Sequence, residues 1–303
     1  MVFLVVSYNQ PKLCHGAVWA TNANNFANNN ILRSDLSRIF VNTNNTVHVT
    51  SGINGQILIW SNNSNNQSFR IIDGFSSTGG LIVTNEDDIY VNSGHNYRQI
   101  TKWTKSTNIT TSIMNLPDTC SDLFVSIDNF LYCSTSNYNM IMKTPLINSI
   151  SMTQIVAGAH CPGVTSDMLY NPQGIFVHTN LSLYVADCGN DRIQLFRNGE
   201  LNGTTIVGNG APSTIGLNCP TDVILDGSDY LFIVDQNNHR IVRSLSNGFQ
   251  CIAGCSGSGS APNQLNYPTR MAFDSYGNIF VVDRENYRIQ KFLLLTDACG
   301  KYS

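Results

Sequence analysis

The chain has 303 residues, is 42% hydrophobic and only 12% charged, and carries a net charge of −3. That charged share is about half of the usual quarter, and no block of Lys or Arg is present that would track a phosphate backbone, which argues against nucleic acid as a partner. No run approaches the roughly 18–20 apolar residues of a membrane span, so none is expected in this chain.

Met1 to Val6 is apolar but lacks a basic start and is shorter than the roughly 7–15 apolar residues of a signal-peptide core. A truncated signal peptide and an incomplete start both remain open there. Within Lys12 to Thr21, the run Ala17-Val18-Trp19-Ala20 reads as a lone strand, followed by an Asn-rich connector to Asn30. From that point a unit recurs, clearest between Gln173 and Arg197. Three short apolar runs are separated by turns rich in Asn, Gly and Asp. β-Branched and aromatic residues alternating over about five positions make strands rather than helices.

Aligned on the first apolar residue of their first strand, the units begin at Ile39, Leu81, Leu123, Ile175, Val223 and Met271, spaced by 42, 42, 52, 48 and 48 residues. A second landmark, His48, Tyr90, Tyr132, Tyr184, Phe232 and Phe280, keeps the same intervals. Each unit also has a fourth apolar segment, as in Ile155-Val-Ala-Gly or Cys251-Ile-Ala-Gly, whose Gly ends the strand. Four strands in about 40–50 residues is the pattern of a β-propeller blade. The expected fold is therefore all-β: one domain, a propeller of six four-stranded antiparallel blades. The blades are placed approximately at 31–75, 76–117, 118–160, 161–210, 211–258 and 259–303, with the strand at 12–21. The sixth unit runs short of strands after Phe292. Ala17 to Thr21 is expected to supply its outer strand, because an open ring would expose unpaired edges. Cys14 and Cys299 then come together, and a disulfide between them is expected.

The repeated residues resemble those of NHL-repeat proteins. The first-strand pattern appears as Asn171-Pro172-Gln173-Gly174-Ile175-Phe176-Val177. The second and third strands carry Tyr184-Val185-Ala186-Asp187 with Asn190, Arg192 and Ile193; units five and six repeat Asp235, Asn238 and Arg240, then Asp283, Asn286 and Arg288. The first three units depart from the pattern. Unit one has Ser51 and Gln56, unit three has Thr135 and Met140, and unit two has Ser93 facing Arg98 or Gln99. The resemblance implies a six-bladed propeller over nearly the whole chain.

Asp and Arg lie five apart across the second hairpin, which brings them to one rim. A structural role is expected, the pair fixing the turn and linking blades while Asn bonds loop amides; the alternative is a ring of ligand-binding charges. The residue before each Arg is free of that role. Asp191, His239 and Tyr287, with Tyr97 or Arg98 in unit two, are expected to crown the rim, face solvent and serve as binding candidates; ordinary variable loop surface is the other reading.

Nine cysteines show no paired C-x-x-C metal spacing. Cys251 with Cys255 and Cys120 with Cys133 are candidate disulfides. Cys188 has two candidate partners, Cys219 and Cys161, with Cys219 preferred. Six N-x-S/T sequons begin at Asn44, Asn62, Asn66, Asn108, Asn180 and Asn202. Cysteines and sequons together point to a secreted glycoprotein, extracellular or within the secretory pathway.

One propeller of the resembled family, the peptidyl-α-hydroxyglycine amidating lyase, holds zinc through histidines. Of the six histidines here, His178 and His239 fall on opposite rims, roughly 17–20 Å apart, and cannot share a metal. His95, His160 and His239 share a rim but belong to different blades. No nucleophile elbow or phosphate loop is present, and no zinc-finger spacing supports a tripartite-motif ligase. The expectation is a non-enzymatic binding module with no metal or cofactor, recognising a protein, glycan or small ligand. A zinc lyase, the ectodomain of a larger sensor and a tripartite-motif-type interaction domain are the alternatives.

Overall fold

The computed structural model describes residues 8–28, 32, 36–51, 55–61, 69–75, 78–93, 98–116, 118–146, 153–212 and 214–297. They form six sheets of four antiparallel strands arranged in a ring. Blade four shows the plan: Pro172–Val177 pairs with Leu183–Asp187, which pairs with Arg192–Phe196, which pairs with Thr204–Gly208. The inner strands of the other blades are Leu36–Val41, Thr78–Val83, Asp122–Val125, Pro220–Leu225 and Pro268–Phe273. Each inner strand contacts the next, and Pro268–Phe273 contacts Leu36–Val41, so the ring is closed. Blades four to six begin their inner strand with Pro, where a missing N–H breaks no ladder.

Strand alternation sorts side chains between two environments. In blade one, Ile39 and Val41 enter the packed core, whereas Arg38 and Phe40 line the central channel. The apolar cores bridge neighbouring blades: Phe124, Tyr132 and Ile141 of blade three pack with Ile175, Val177 and Val185 of blade four. His48 occupies the aromatic column of the second strands. It is buried edge-on to Phe40, with burial pushing its imidazole down to about 4.

An N-terminal strand does close the ring, but not at the expected residues. The outer strand of blade six is Asn24–Ala27, paired with Arg288–Phe292. Val18–Trp19 instead pairs with Leu294–Thr296 in a separate two-stranded ribbon. Composition hid the closing strand: Asn24 and Asn25 face solvent, while Phe26 and Ala27 are buried. Phe26 lies edge-on to Trp60 of blade one and Phe280 of blade six, with centroids 5.6 and 5.1 Å away. An outer strand needs only such a short inward face. The ribbon has its own anchor, since Trp19 is buried against Phe232 and its Nε1 donates to Gly277 O at 2.8 Å.

Disulfides join Cys120 to Cys133, Cys188 to Cys219 and Cys251 to Cys255. Of the two partners open to Cys188, the structure selects Cys219, which ties blade four to the connector entering blade five; Cys161 is a free, exposed thiol. Cys299 lies outside the described residues. Cys14 N donates to Asp297 Oδ1 at 2.8 Å, which brings the two ends of the described chain together.

Candidate functional site

Three blades carry the same polar assembly on the rim formed by the second hairpin loops and the inter-blade connectors. In blade four, Asp187 Oδ2 accepts from Arg192 Nε and Asn190 Nδ2, each at 2.8 Å, and Oδ1 accepts from Tyr170 N at 2.7 Å. Arg192 then donates to Val164 O, Thr165 O and Met168 O of the incoming connector. Asp235, Asn238 and Arg240 repeat the arrangement in blade five, and Asp283, Asn286 and Arg288 in blade six. Arg240 reaches Gly216 O, and Arg288 reaches Ser260 O, Ala261 O and Gln264 O. Each guanidinium staples the connector that arrives from the preceding blade. Burial pushes the Asp187 and Asp283 carboxyls up, and the donors around them pull the other way. In the first three blades Ser51 pairs with Gln56, Ser93 with Gln99, and Thr135 with Met140. The counterpart of Arg192 in blade two is therefore Gln99.

The residues before each Arg are more constrained than their variety suggests. Asp191, His239 and Tyr287 follow single turns of 3-10 helix and sit in the left-handed region at φ 55, 56 and 50. Asp191 Oδ1 accepts from Cys219 N at 2.7 Å, and His239 Nδ1 accepts from Tyr267 N at 3.1 Å. Asn139 does the same in blade three, accepting from Asn171 N at 2.9 Å. These side chains clip one blade to the next instead of projecting freely into solvent. Their acceptor atoms satisfy N–H groups of Asn171, Cys219 and Tyr267, which are themselves at positive φ. Tyr287 is exposed. In blade two the equivalent position is Arg98, at φ 42; Tyr97 lies outside the described residues. Exposed aromatic surface on this rim comes from Tyr170, Tyr267 and Tyr287.

The channel holds a second polar group, outside the repeat motif. One residue before each first-strand landmark stand Arg38, Gly80, Asp122, Gly174, Asp222 and Arg270. Arg38 Nη2 lies 3.0 Å from Asp122 Oδ1. Asp122 Oδ2 accepts from Ile175 N at 2.9 Å, and Asp222 Oδ2 from Met271 N at 3.0 Å, so each carboxylate also holds the next blade. Arg270 donates to Thr221 O, Thr269 O and Ser121 O. The glycines make room, for a Cβ at Gly174 would lie 2.6 Å from Asp222 Oδ1. Beyond this charged layer the channel is lined by Phe40, Ile82, Phe124, Phe176, Ile224 and Ala272. Tyr8 packs at that end against Phe124 and Phe176. Asn9 pins it in place by donating to Val41 O, Asn42 O and Phe273 O. The cavity these residues line is about 100 Å³.

Burial, and secondarily the charge of Asp122, push the Asp222 carboxyl up to about 7, with Arg38 opposing; burial also raises Asp122. Between its ordinary 3.8 and about 7, Asp222 keeps a proton in the folded chain that the unfolded chain releases. Its contribution to stability therefore declines as pH rises through that window and levels off above it. Urea unfolding across roughly pH 4–8 will show a flatter decline in Asp222→Asn than in the parent. An unchanged slope would place the titration elsewhere.

The histidines do not converge where they are described. His178 Nε2 meets Asp229 Oδ1 at 3.0 Å in a first-hairpin loop, on the rim opposite His239. His160 packs on Tyr138 and His239 on Tyr267, and His95 lies outside the described residues. Among the described residues, no three His, Cys, Asp or Glu side chains are grouped to hold a metal ion. The sequon residues Asn44, Asn108, Asn180 and Asn202 are exposed, and Asn62 and Asn66 lie outside the described residues. No helix among the described residues is long and apolar enough to cross a membrane.

The model of the NHL repeat matches residues 265–292, which span the end of the connector and the first three strands of blade six. The chain carries an NHL repeat. No curated protein matches it in sequence. Solved structures share the architecture that surrounds the NHL repeat. A gluconolactonase from Xanthomonas campestris is 14% identical, with a TM-score of 0.66 over 96% of this chain and 97% of that one. An auxiliary nutrient binding protein from Bacteroides thetaiotaomicron is also 14% identical, with a TM-score of 0.64 over 97% of this chain and 77% of that one. Virginiamycin B lyase from Staphylococcus aureus is 15% identical, with a TM-score of 0.59 over 86% of this chain and 96% of that one. At these identities the likeness is one of fold, which does not carry function with it.

Proposed function

We propose that the protein is an extracellular, non-catalytic binding module that recognises a protein, glycan or small ligand on its NHL-repeat rim. The supporting observation is the exposure of Tyr170, Tyr267 and Tyr287 on connectors and loops that the Asp–Asn–Arg assemblies staple down. Aromatic side chains on a rigid backbone present contact area at low entropic cost, which is how interface anchors work. The channel suits a substrate pocket less well, because its charges are turned on one another and on the backbone. Its volume of about 100 Å³ is below the roughly 300–1,000 Å³ of sites that enclose drug-sized ligands. Three disulfides are compatible with an extracellular setting. A nutrient-binding neighbour of the same fold adds support by analogy.

The purified protein, screened on glycan arrays and on cell surfaces, is expected to bind. The double variant Tyr170→Ala with Tyr287→Ala should weaken that binding at least about tenfold while leaving thermal unfolding unchanged. Lactone or cyclic-depsipeptide turnover by the purified protein, or full binding by the double variant, would overturn the reading.

A further inference from the structure

The antiparallel order of each blade places its first and third hairpin loops at one end, and its second hairpin and connectors at the other. In blade four, Val177, Leu183 and Phe196 stand side by side at the first end, and Asp187 and Arg192 at the second. Four of the six N-x-S/T sequons fall within the described residues, and all four begin in loops of the first end. Asn44 is in the first hairpin of blade one and Asn108 in the third of blade two, while Asn180 and Asn202 are in the first and third of blade four. All four asparagines are exposed. Where their amides are engaged, it is through the oxygen. Asn108 Oδ1 accepts from Trp103 Nε1 at 3.1 Å, Asn180 Oδ1 from Ser182 N at 2.9 Å, and Asn202 Oδ1 from Ser166 Oγ at 3.3 Å. Asn44 lies in a turn that Asn42 Oδ1 holds by accepting from Asn44 N and Thr46 N. None of the four Nδ2 groups donates to a described residue. The opposite rim uses its asparagines the other way. Asn190 Nδ2 donates to Gly163 O and Asp187 Oδ2, Asn238 Nδ2 to Asp235 Oδ2, and Asn286 Nδ2 to Gly259 O and Asp283 Oδ2. None of those three begins a sequon.

From this division we infer that Asn44, Asn108, Asn180 and Asn202 carry N-linked glycans, which stand together on the rim opposite the Asp–Asn–Arg assemblies and leave the NHL-repeat rim to a macromolecular partner. The inference rests on the extracellular setting of the proposed function. The donor is a lipid-pyrophosphate-linked oligosaccharide. Nδ2 forms a bond to the anomeric carbon while the carbon–oxygen bond to the pyrophosphate breaks. The lipid pyrophosphate leaves with that electron pair, and Nδ2 gives up one proton to solvent. The product keeps its amide oxygen, so the bonds accepted from Trp103, Ser182 and Ser166 survive the modification. On the other rim the same change would remove one of the two N–H donors that Asn190 and Asn286 each use. The glycans also have apolar surface to cover. Ile109, beside Asn108, is 56% exposed, and Leu201, beside Asn202, is 61% exposed. A bulky, solubilising group at those positions shields side chains that would otherwise favour association.

The test uses the whole chain secreted from a glycosylating eukaryotic host. Enzymatic release of the glycans in heavy-oxygen water converts each glycosylated Asn to a labelled Asp, which peptide mass spectrometry locates. Label is expected at Asn44, Asn108, Asn180 and Asn202. The combined variant Thr46→Val, Thr110→Val, Ser182→Ala and Thr204→Val destroys the four sequons and leaves every Asn in place. It should lose all four labels and, with Ile109 and Leu201 uncovered, self-associate more in light scattering. The parent protein, folded first and then trimmed to the innermost sugar by an endoglycosidase, gives the same comparison without any substitution. Trimming is expected to leave binding at the NHL-repeat rim unchanged, because Tyr170, Tyr267 and Tyr287 lie at the other end of the blades. Secreted protein without label at these four asparagines would overturn the glycan assignment and leave rim binding standing. Loss of rim binding on trimming would overturn the separation of the two rims. Full labelling with no rim binding would uphold the glycan assignment and count against the proposed function alone.

Discussion

Phe26→Ala will destabilise the protein by about 3–5 kcal/mol, the range for truncating a buried aromatic. This is a large share of the roughly 5–15 kcal/mol that holds a domain together. The cost is expected at the upper end because Phe26 touches both sides of the seam, Trp60 in blade one and Phe280 in blade six. Losing it opens a cavity between the two blades whose joining depends on a strand from the far end of the chain. A comparison with Val18 isolates the cause. Val18 lies on the separate ribbon and is half-exposed, so Val18→Ser should change stability by no more than about 0.5 kcal/mol. Denaturant melts of the two variants distinguish the closing strand from the ribbon. A greater loss in Val18→Ser than in Phe26→Ala would mean that the ribbon, not Asn24–Ala27, holds the ring shut.

The second large effect belongs to Asp187. Replacing it with Ala strands the Arg192 guanidinium and removes the acceptor for Tyr170 N and Asn190 Nδ2. Removing one partner of a buried ion pair costs about 3–5 kcal/mol, chiefly because the remaining charge is left without compensation. The three blades provide an internal scale. Side-chain exposure is 7% for Arg192, 12% for Arg288 and 25% for Arg240. Water can rehydrate the stranded guanidinium in proportion, so the cost should fall in the order Asp187→Ala, Asp283→Ala, Asp235→Ala. Adding Arg192→Met to Asp187→Ala should recover part of the loss, since no charge is then left buried. Equal costs in all three blades would show that the Asp–backbone bonds dominate instead of the ion pair.

Most of the architecture was legible because its signals are local and repeat. The interval between Ile39, Leu81, Leu123, Ile175, Val223 and Met271 returns with the second-strand aromatic in all six units, and a blade cannot bury its faces without neighbours. The Asp–Asn–Arg assemblies were legible for the same reason, being confined to one hairpin and its loop. The closing strand was not. Asn24 and Asn25 look like connector, and only the seam between blades six and one makes Phe26 and Ala27 an inward face. The channel layer was equally hidden, although its sign was present: a charged residue immediately ahead of the apolar landmark in Arg38, Asp122, Asp222 and Arg270. Each looks like an isolated strand-end charge until the ring brings the inner strands together.

Local pattern was thus enough to specify the repeat, the number of blades, the strand order within each and the hairpin clasps. All of these depend on residues within about 50 positions of one another. Tertiary structure alone decided which N-terminal residues seal the ring, that Asp191 and His239 are clips between blades, and that four charges from four blades share one buried layer. These outcomes depend on closure of a circle. Contacts such as Phe26 with Phe280, or Arg270 with Ser121, join residues 254 and 149 positions apart, a separation at which no local pattern carries information about who meets whom.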